Sequence, residues 1–263
     1  MAHAIVNGAR LWYDVWGSGE PLLFHHGYTA SRDNWMPVAE RLASRYRVVL
    51  MECRGAGDSE HTESGYSLEQ YAQDAIGIGQ HLHLGRFTFA GHSMGGGVGY
   101  LLATRFPEVL SRLVLMAPIP SGGIKSLDFD GIEEHLRARN RGDREHFKAP
   151  MRASRFRPDV QTEEWFERRI NHLFKLSEGH VRGSAESMFD FNVVKSLSSV
   201  LTPTLVIAGA FDELLQANFH DYQLLPNATL HVFSRAGHDV AIHEPDGVAD
   251  AIDAFMRSGL PSR

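Results

Sequence analysis

Short apolar runs without polar alternation recur along this chain: Pro21 to His25, Arg47 to Met51, Phe87 to Ala90, Leu113 to Met116 and Thr204 to Ala208. A strand covered on both faces has this pattern. Between the runs lie helix-compatible stretches, namely Asn34 to Ala43, Leu68 to Leu82, Met94 to Phe106, Glu213 to Leu224 and Pro245 to Met256. Strand and helix therefore alternate, which predicts right-handed βαβ units and an α/β fold: a mostly parallel central sheet with helices on both faces. Ligands of such sheets bind at the carboxyl ends of the strands, so active residues are expected just after strands. The segment from His3 to Trp16 is expected to form a hairpin around Asn7-Gly8, and Thr229 to Phe233 a more alternating last strand.

One interval breaks the rhythm. Residues 117–201 hold no convincing buried strand but several charged, helix-compatible pieces, such as Ile132 to Arg139 and Glu163 to Phe174. A structureless loop of that length is improbable in a folded domain, whereas a helical cap over the crevice explains it. The expected organisation is a core in two parts, 1–118 and 201–263, with a helical cap at 119–200 between them. A chain of 263 residues can form such a unit around one extended sheet.

The strongest local signal is Gly91-His92-Ser93-Met94-Gly95, a G-x-S-x-G motif placed between an apolar strand and a glycine-tolerant helix. A serine at such a turn is held in a strained conformation that lifts its hydroxyl above the sheet, while the glycines relieve crowding. Without that context, Ser93 would read more simply as a helix N-cap. Gly96, Gly97 and Gly99 need only close packing of the helix to explain them. Serine alone is a weak nucleophile and needs a base, and the base needs a group that holds its tautomer. Asp212 follows the strand Thr204 to Ala208, and His238 follows the strand Thr229 to Phe233, giving the chain order Ser, Asp, His.

With these residues in place, the chain resembles the α/β-hydrolase superfamily across nearly its whole length, as a serine esterase or lactonase-like member with a helical cap. His26-Gly27 resembles the oxyanion-loop motif, Arg54-Gly55-Ala56-Gly57-Asp58-Ser59 the glycine-rich turn after the next strand, and Ala236-Gly237-His238 the catalytic-histidine loop. The resemblance implies that Ser93 attacks a carbonyl carbon, His238 moves the proton and Asp212 holds His238. It also implies that the backbone N–H groups of Tyr28 and Met94 receive the oxyanion. Some members carry the acid after the earlier strand, but Ala117-Pro118-Ile119-Pro120-Ser121 contains no carboxylate. Glu213 and Asp239 read as adjacent turn or helix-start residues. His26 is expected to support the oxyanion loop, with His25, His92 and His243 as packing residues around the site. Arg54, Asp58 and Ser59 read as parts of a structural turn.

The implied chemistry is acyl transfer to water, hydrolysing a small-molecule carboxylic ester or lactone through an acyl-enzyme. Ser93 stands where dehalogenases and epoxide hydrolases of the superfamily carry aspartate. Carbon–carbon bond hydrolysis and acyl transfer to peroxide use nearly the same residues, and a non-catalytic small-molecule receptor on this fold is the alternative of a different class. The substrate pocket is expected to draw on Tyr28, Trp35, Met36, Met116, Ile119, Met188, Phe189, Phe191, Leu214 and Val240, an apolar set suited to a hydrophobic moiety. Core packing is the competing explanation for each of them. The cap arginines 137, 139, 141, 144, 152, 155 and 157 read as a solvated helix surface.

Other function classes find no support. A net charge of −6 has the wrong sign for nucleic-acid binding. No dinucleotide G-x-G-x-x-G follows the first buried strand, and His81-x-His83 would diverge on a helix, so neither cofactor nor metal is expected. The single Cys53 allows no intrachain disulfide, the start lacks a secretory signal, and no apolar run reaches the roughly 18 residues of a membrane span, so a cytoplasmic location is expected. The oligomeric state is left open.

Overall fold

The structure is a computed structural model that describes residues 2–258. Eight strands form one sheet: β1 (Ala2–Val6), β2 (Ala9–Trp16), β3 (Pro21–His25), β4 (Arg47–Met51), β5 (Phe87–His92), β6 (Leu110–Met116), β7 (Thr204–Gly209) and β8 (Ala228–Phe233). Their order is β1-β2-β4-β3-β5-β6-β7-β8, antiparallel through the first three and parallel from β4 onward. The chain moves from β3 out to β4 on one side and returns to β5 on the other, which opens a crevice beyond the carboxyl end of β3.

Period-two alternation divides the apolar residues between two layers. Leu23, Val49 and Phe89 pack with α2 (Leu68–His81) and α3 (Met94–Arg105), whereas Leu22, Phe24, Val48 and Leu50 pack with α1 (Met36–Leu42) and α10 (Pro245–Arg257). Both faces are thus covered, which is why the central strands read as uninterrupted apolar runs. Edge strand β8 pairs only with β7, and its residues alternate between half-buried and exposed over most of its length. The strand signal began late for β6, which starts at Leu110 rather than Leu113. Arg112 interrupts the apolar pattern, yet it is nearly buried and paired with Glu20.

Between β6 and β7 the chain forms α4 (Phe129–Asn140), α5 (Glu145–Ala153), α6 (Glu163–Lys175) and α7 (Glu178–Asp190). Asp128, Thr162 and Ser177 cap α4, α6 and α7 by accepting from backbone N–H groups of the first turn. These helices are fastened over the crevice by hydrogen bonds to the core. His172 donates from Nε2 to Ala30 O at 2.7 Å, Tyr28 Oη donates to Val181 O at 2.8 Å, and Ser177 N donates to Gly55 O at 2.9 Å. After β7 come α8 (Leu215–Leu224) and, beyond β8, the short α9 (Val240–His243). Residues 259–263 of the expected second core part lie outside the described residues.

Candidate active site

Ser93 occupies the turn between β5 and α3 with φ 54° and ψ −113°, in the left-handed region that non-glycine residues rarely adopt. Surrounding bonds hold it there. Its N–H donates to Met116 O at 3.0 Å, and its carbonyl accepts from Gly96, Gly97 and Ile119 at 2.8, 3.2 and 3.1 Å. Glycine is required beside it: a β-carbon on Gly95 would stand 2.6 Å from His25 O and 2.8 Å from His26 O. Although such a turn lifts the hydroxyl above the sheet, Ser93 is only 9% exposed, because the β3 loop passes across it.

That loop is held by histidines. His26 donates from Nδ1 to Gly27 O at 2.9 Å and accepts at Nε2 from Cys53 N–H at 3.2 Å, which defines its neutral tautomer. Burial, reinforced by His25, keeps its pKa well below the ordinary value. His25 donates from Nδ1 to His26 O at 2.9 Å, and burial pushes its pKa down to about 4. A β-carbon on Gly27 would lie 3.0 Å from Ser93 Cβ, so the loop crosses directly against the serine. Among the described residues, the N–H groups of Tyr28 and Met94 donate no hydrogen bond within the protein.

Asp212 lies three residues beyond β7 and His238 five beyond β8, so the parallel pairing of these strands carries both to the same edge. Asp212 Oδ2 accepts from His238 Nδ1 at 3.0 Å, and Oδ1 accepts from Leu214 N–H at 3.1 Å. The His238 side chain is 40% exposed, whereas that of Asp212 is fully buried. Burial works against charging His238, but the Asp212 hydrogen bond and the charges of Asp212 and Asp239 outweigh it and raise its pKa. His92, adjacent to Ser93, donates from Nε2 to His238 O at 3.0 Å, and the two ring centroids are 5.0 Å apart. The structure thus brings His238 beside the serine turn, although no hydrogen bond joins the Ser93 hydroxyl to His238 among the described residues. His243 accepts at Nδ1 from Gly237 N–H at 3.1 Å and holds the loop that ends in His238.

The turn residues 54, 58 and 59 are structural. Arg54 makes a buried bidentate pair with Asp74, Asp58 pairs with Arg32, and Ser59 links Trp12 N–H to Glu52 O.

The expected pocket residues are dispersed. A cavity of about 350 Å³ lies between the β3 loop and helices α4 to α7, with Tyr28, Leu136, Phe147, Met151, Leu173 and Val181 in its wall. Tyr28 is the one member of the expected set on that wall. Trp35 is instead packed in the core, 4.6 Å from Phe24 between ring centroids, with Nε1 donating to His25 O; Met116 and Val240 are buried on the same side of the sheet, with Met36 packed against them. Ile119, Met188 and Phe191 belong to the core on the other side. Phe189 meets Phe129 and Lys125 toward the outside of the cap, and Leu214 is half-buried beside Asp212. Sequence could not separate wall from core, because both use the same apolar side chains.

Two residues on α6 were not singled out from sequence. Arg169 donates to Asn34 Oδ1 at 3.4 Å, and Asn34 Nδ2 donates to Asp239 Oδ1 at 3.1 Å. Burial opposes ionisation of Asp239, but Arg169 and the neighbouring histidines outweigh it and hold the carboxyl below its usual range. His172, three residues on and hence on the same helix face, binds the β3 loop at Ala30. Their spacing was visible in the chain, but a charged helix surface gave no reason to choose them. Among the described residues, no group of three or more His, Cys, Asp or Glu is placed to hold a metal ion, and no helix is long and apolar enough to cross a membrane.

Comparison with known proteins agrees with this architecture. Residues 20–245 match the family described as alpha/beta hydrolase fold. A non-heme haloperoxidase of Rhodococcus erythropolis is 28% identical over 96% of this chain and 97% of its own length. Among solved structures, the enol-lactonase of Burkholderia xenovorans LB400 superposes with a TM-score of 0.84 at 20% identity, covering 97% of this chain and 99% of that one. A thermophilic esterase of Thermogutta terrifontis superposes at 0.82 with 23% identity, covering 97% of each chain. The family match across most of the chain, together with the sheet order and the serine turn, establishes that this protein belongs to the alpha/beta hydrolase fold family.

Proposed function

We propose that this protein is a serine hydrolase that cleaves a carboxylic ester or lactone through an acyl-enzyme on Ser93. The observation that carries this reading is the Asp212–His238 hydrogen bond beside a serine held in a strained turn. The Ser93 oxygen adds to the carbonyl carbon as its proton passes to His238 Nε2, and negative charge collects on the carbonyl oxygen. The free N–H groups of Tyr28 and Met94 receive that charge; losing one such donor costs roughly 2.7–4 kcal/mol in comparable sites. The carbon–oxygen bond then breaks as His238 returns the proton to the leaving oxygen. Water repeats the sequence on the acyl-enzyme, releasing the acid and restoring the serine. The Ser93–His238 hydrogen bond forms when substrate fills the site, since such bonds are commonly long or unmade before it binds.

The segment 119–200 acts as a cap that chooses the substrate, while the core supplies the acyl chemistry. A second reading is favoured by the haloperoxidase relative: hydrogen peroxide in place of water would attack the same acyl-enzyme and release a peracid. The test is an ester and lactone panel, with and without peroxide, alongside a fluorophosphonate probe. Ser93→Ala should remove both turnover and labelling. Retained turnover in the folded variant excludes Ser93 from the chemistry, and ligand binding without turnover across the panel favours a receptor.

A further inference from the structure

Arg169 differs from the other arginines of residues 119–200. Each of those has a carboxylate oxygen within 3.8 Å, as Arg168 has in Glu164 and Arg155 in Glu163. Arg169 has none within 4.0 Å among the described residues, and its one hydrogen bond there is the 3.4 Å contact to Asn34 Oδ1. Its side chain is half-buried. A guanidinium has five N–H donors, so most of this one's capacity is not used within the protein.

Its position makes the free donors relevant to the site. Successive residues on a helix diverge by about 100°, so Arg168 pairs along the solvent side while Arg169 lies with buried Phe166 and Ile170 toward the core. His172 pins this face to the β3 loop at Ala30, and Asn34 connects Arg169 to Asp239, the residue after His238. The charge of Arg169 is felt at both His238 and Asp239, placing the guanidinium within electrostatic reach of the base. The two carboxylates beside the base, Asp212 and Asp239, would repel an anion, and Arg169 opposes them.

We propose that Arg169 determines specificity by binding a carboxylate of the substrate a few bonds from the scissile acyl group, with the planar guanidinium offering two parallel donors to it. This rests on the hydrolase reading above and narrows its substrate class to acidic esters or lactones. Arginine matches a carboxylate in this bidentate manner, whereas lysine offers only a point charge.

The test compares phenyl hydrogen glutarate, which is anionic, with phenyl pentanoate, a neutral ester of similar length. The reported quantity is the ratio of their kcat/KM values in wild type, Arg169→Lys and Arg169→Gln, with thermal midpoints measured for each protein. The anionic-to-neutral ratio should fall about tenfold to a hundredfold in Arg169→Gln, mainly through KM, with Arg169→Lys intermediate. An unchanged ratio overturns the proposal, and so does a ratio fully retained in Arg169→Lys, because a positive charge that only balances Asp239 would serve as well as the bidentate guanidinium. Calorimetric titration of phenyl hydrogen glutarate into Ser93→Ala, with and without Arg169→Gln, separates this idea from the hydrolase reading. Binding that depends on Arg169 without wild-type turnover would retain the anion site and reject the hydrolase; binding indifferent to Arg169, or no binding, would reject the anion site.

Discussion

Asp212 and His238 come from the ends of neighbouring strands and meet at 3.0 Å between Oδ2 and Nδ1, with the carboxylate buried and the imidazole partly open to solvent. Burial alone would lower the His238 pKa, but the hydrogen bond and charge of Asp212, with Asp239, raise it above 6.5. In the proposed mechanism His238 must be neutral to accept the Ser93 proton. The acidic limb of kcat/KM should therefore have its midpoint above pH 6.5 in wild type. In Asp212→Asn, which loses the raising contributions of Asp212 and keeps the burial, the midpoint should move down as the rate falls by several orders of magnitude. Profiles on a neutral ester check this, and an unmoved limb would separate Asp212 from the base.

The buried histidines make an opposite demand on stability. Burial pushes His25, His92 and His172 down to about 4 and His180 to about 3. The unfolded chain protonates these groups near 6.5, so between roughly pH 6.5 and 4 it binds more protons than the folded protein. Stability should fall progressively through that window as pH drops. His238 contributes with the other sign, a single group against these four and the likewise depressed His26 and His243. Urea midpoints measured from pH 7.5 to 4.5 test the direction, and a flat profile would contradict it.

Gly95 carries the serine turn against the β3 loop, where a β-carbon would meet the carbonyl oxygens of both His25 and His26. Backbone on both sides cannot yield cheaply. Gly95→Ala should cost about 3 kcal/mol, the upper end for overpacking, and reduce the proposed ester hydrolysis in whatever folded protein remains. Denaturant melts and activity per folded molecule measure the two effects separately.

Substitution can tell whether the expected pocket residues or the wall of the cavity at Tyr28 governs substrate size. Leu173→Ala and Phe147→Ala enlarge the cavity under the cap and should shift preference toward bulkier acyl groups. Met188→Ala, at a position 1% exposed within the core, should instead cost about 2–5 kcal/mol with little change in size preference. A size series of esters with matched unfolding curves decides the matter; a size shift from Met188→Ala alone would return the pocket to the end of α7.

The amino-acid sequence alone determined the layered sheet and the places where chemistry should appear. β3 and β4 matched their expected spans because full burial forces an uninterrupted apolar run, and α2 ends within one residue of its expected stretch, Leu68 to Leu82. Ser93, Asp212 and His238 stood out because each follows a strand within five residues, a relation that lies along the chain. Which apolar residues face a cavity, and which arginine of residues 119–200 has no carboxylate within ion-pair distance among the described residues, were decided only in three dimensions. Trp35 and Tyr28 are both aromatic residues following β3, yet Trp35 packs on Phe24 while Tyr28 reaches Val181 and lines the cavity. Arg168 and Arg169 are neighbours in sequence, but one turns to Glu164 and the other to Asn34. Pairing across more than a hundred residues depends on how α6 docks over the β3 loop, and local composition carries no record of that docking.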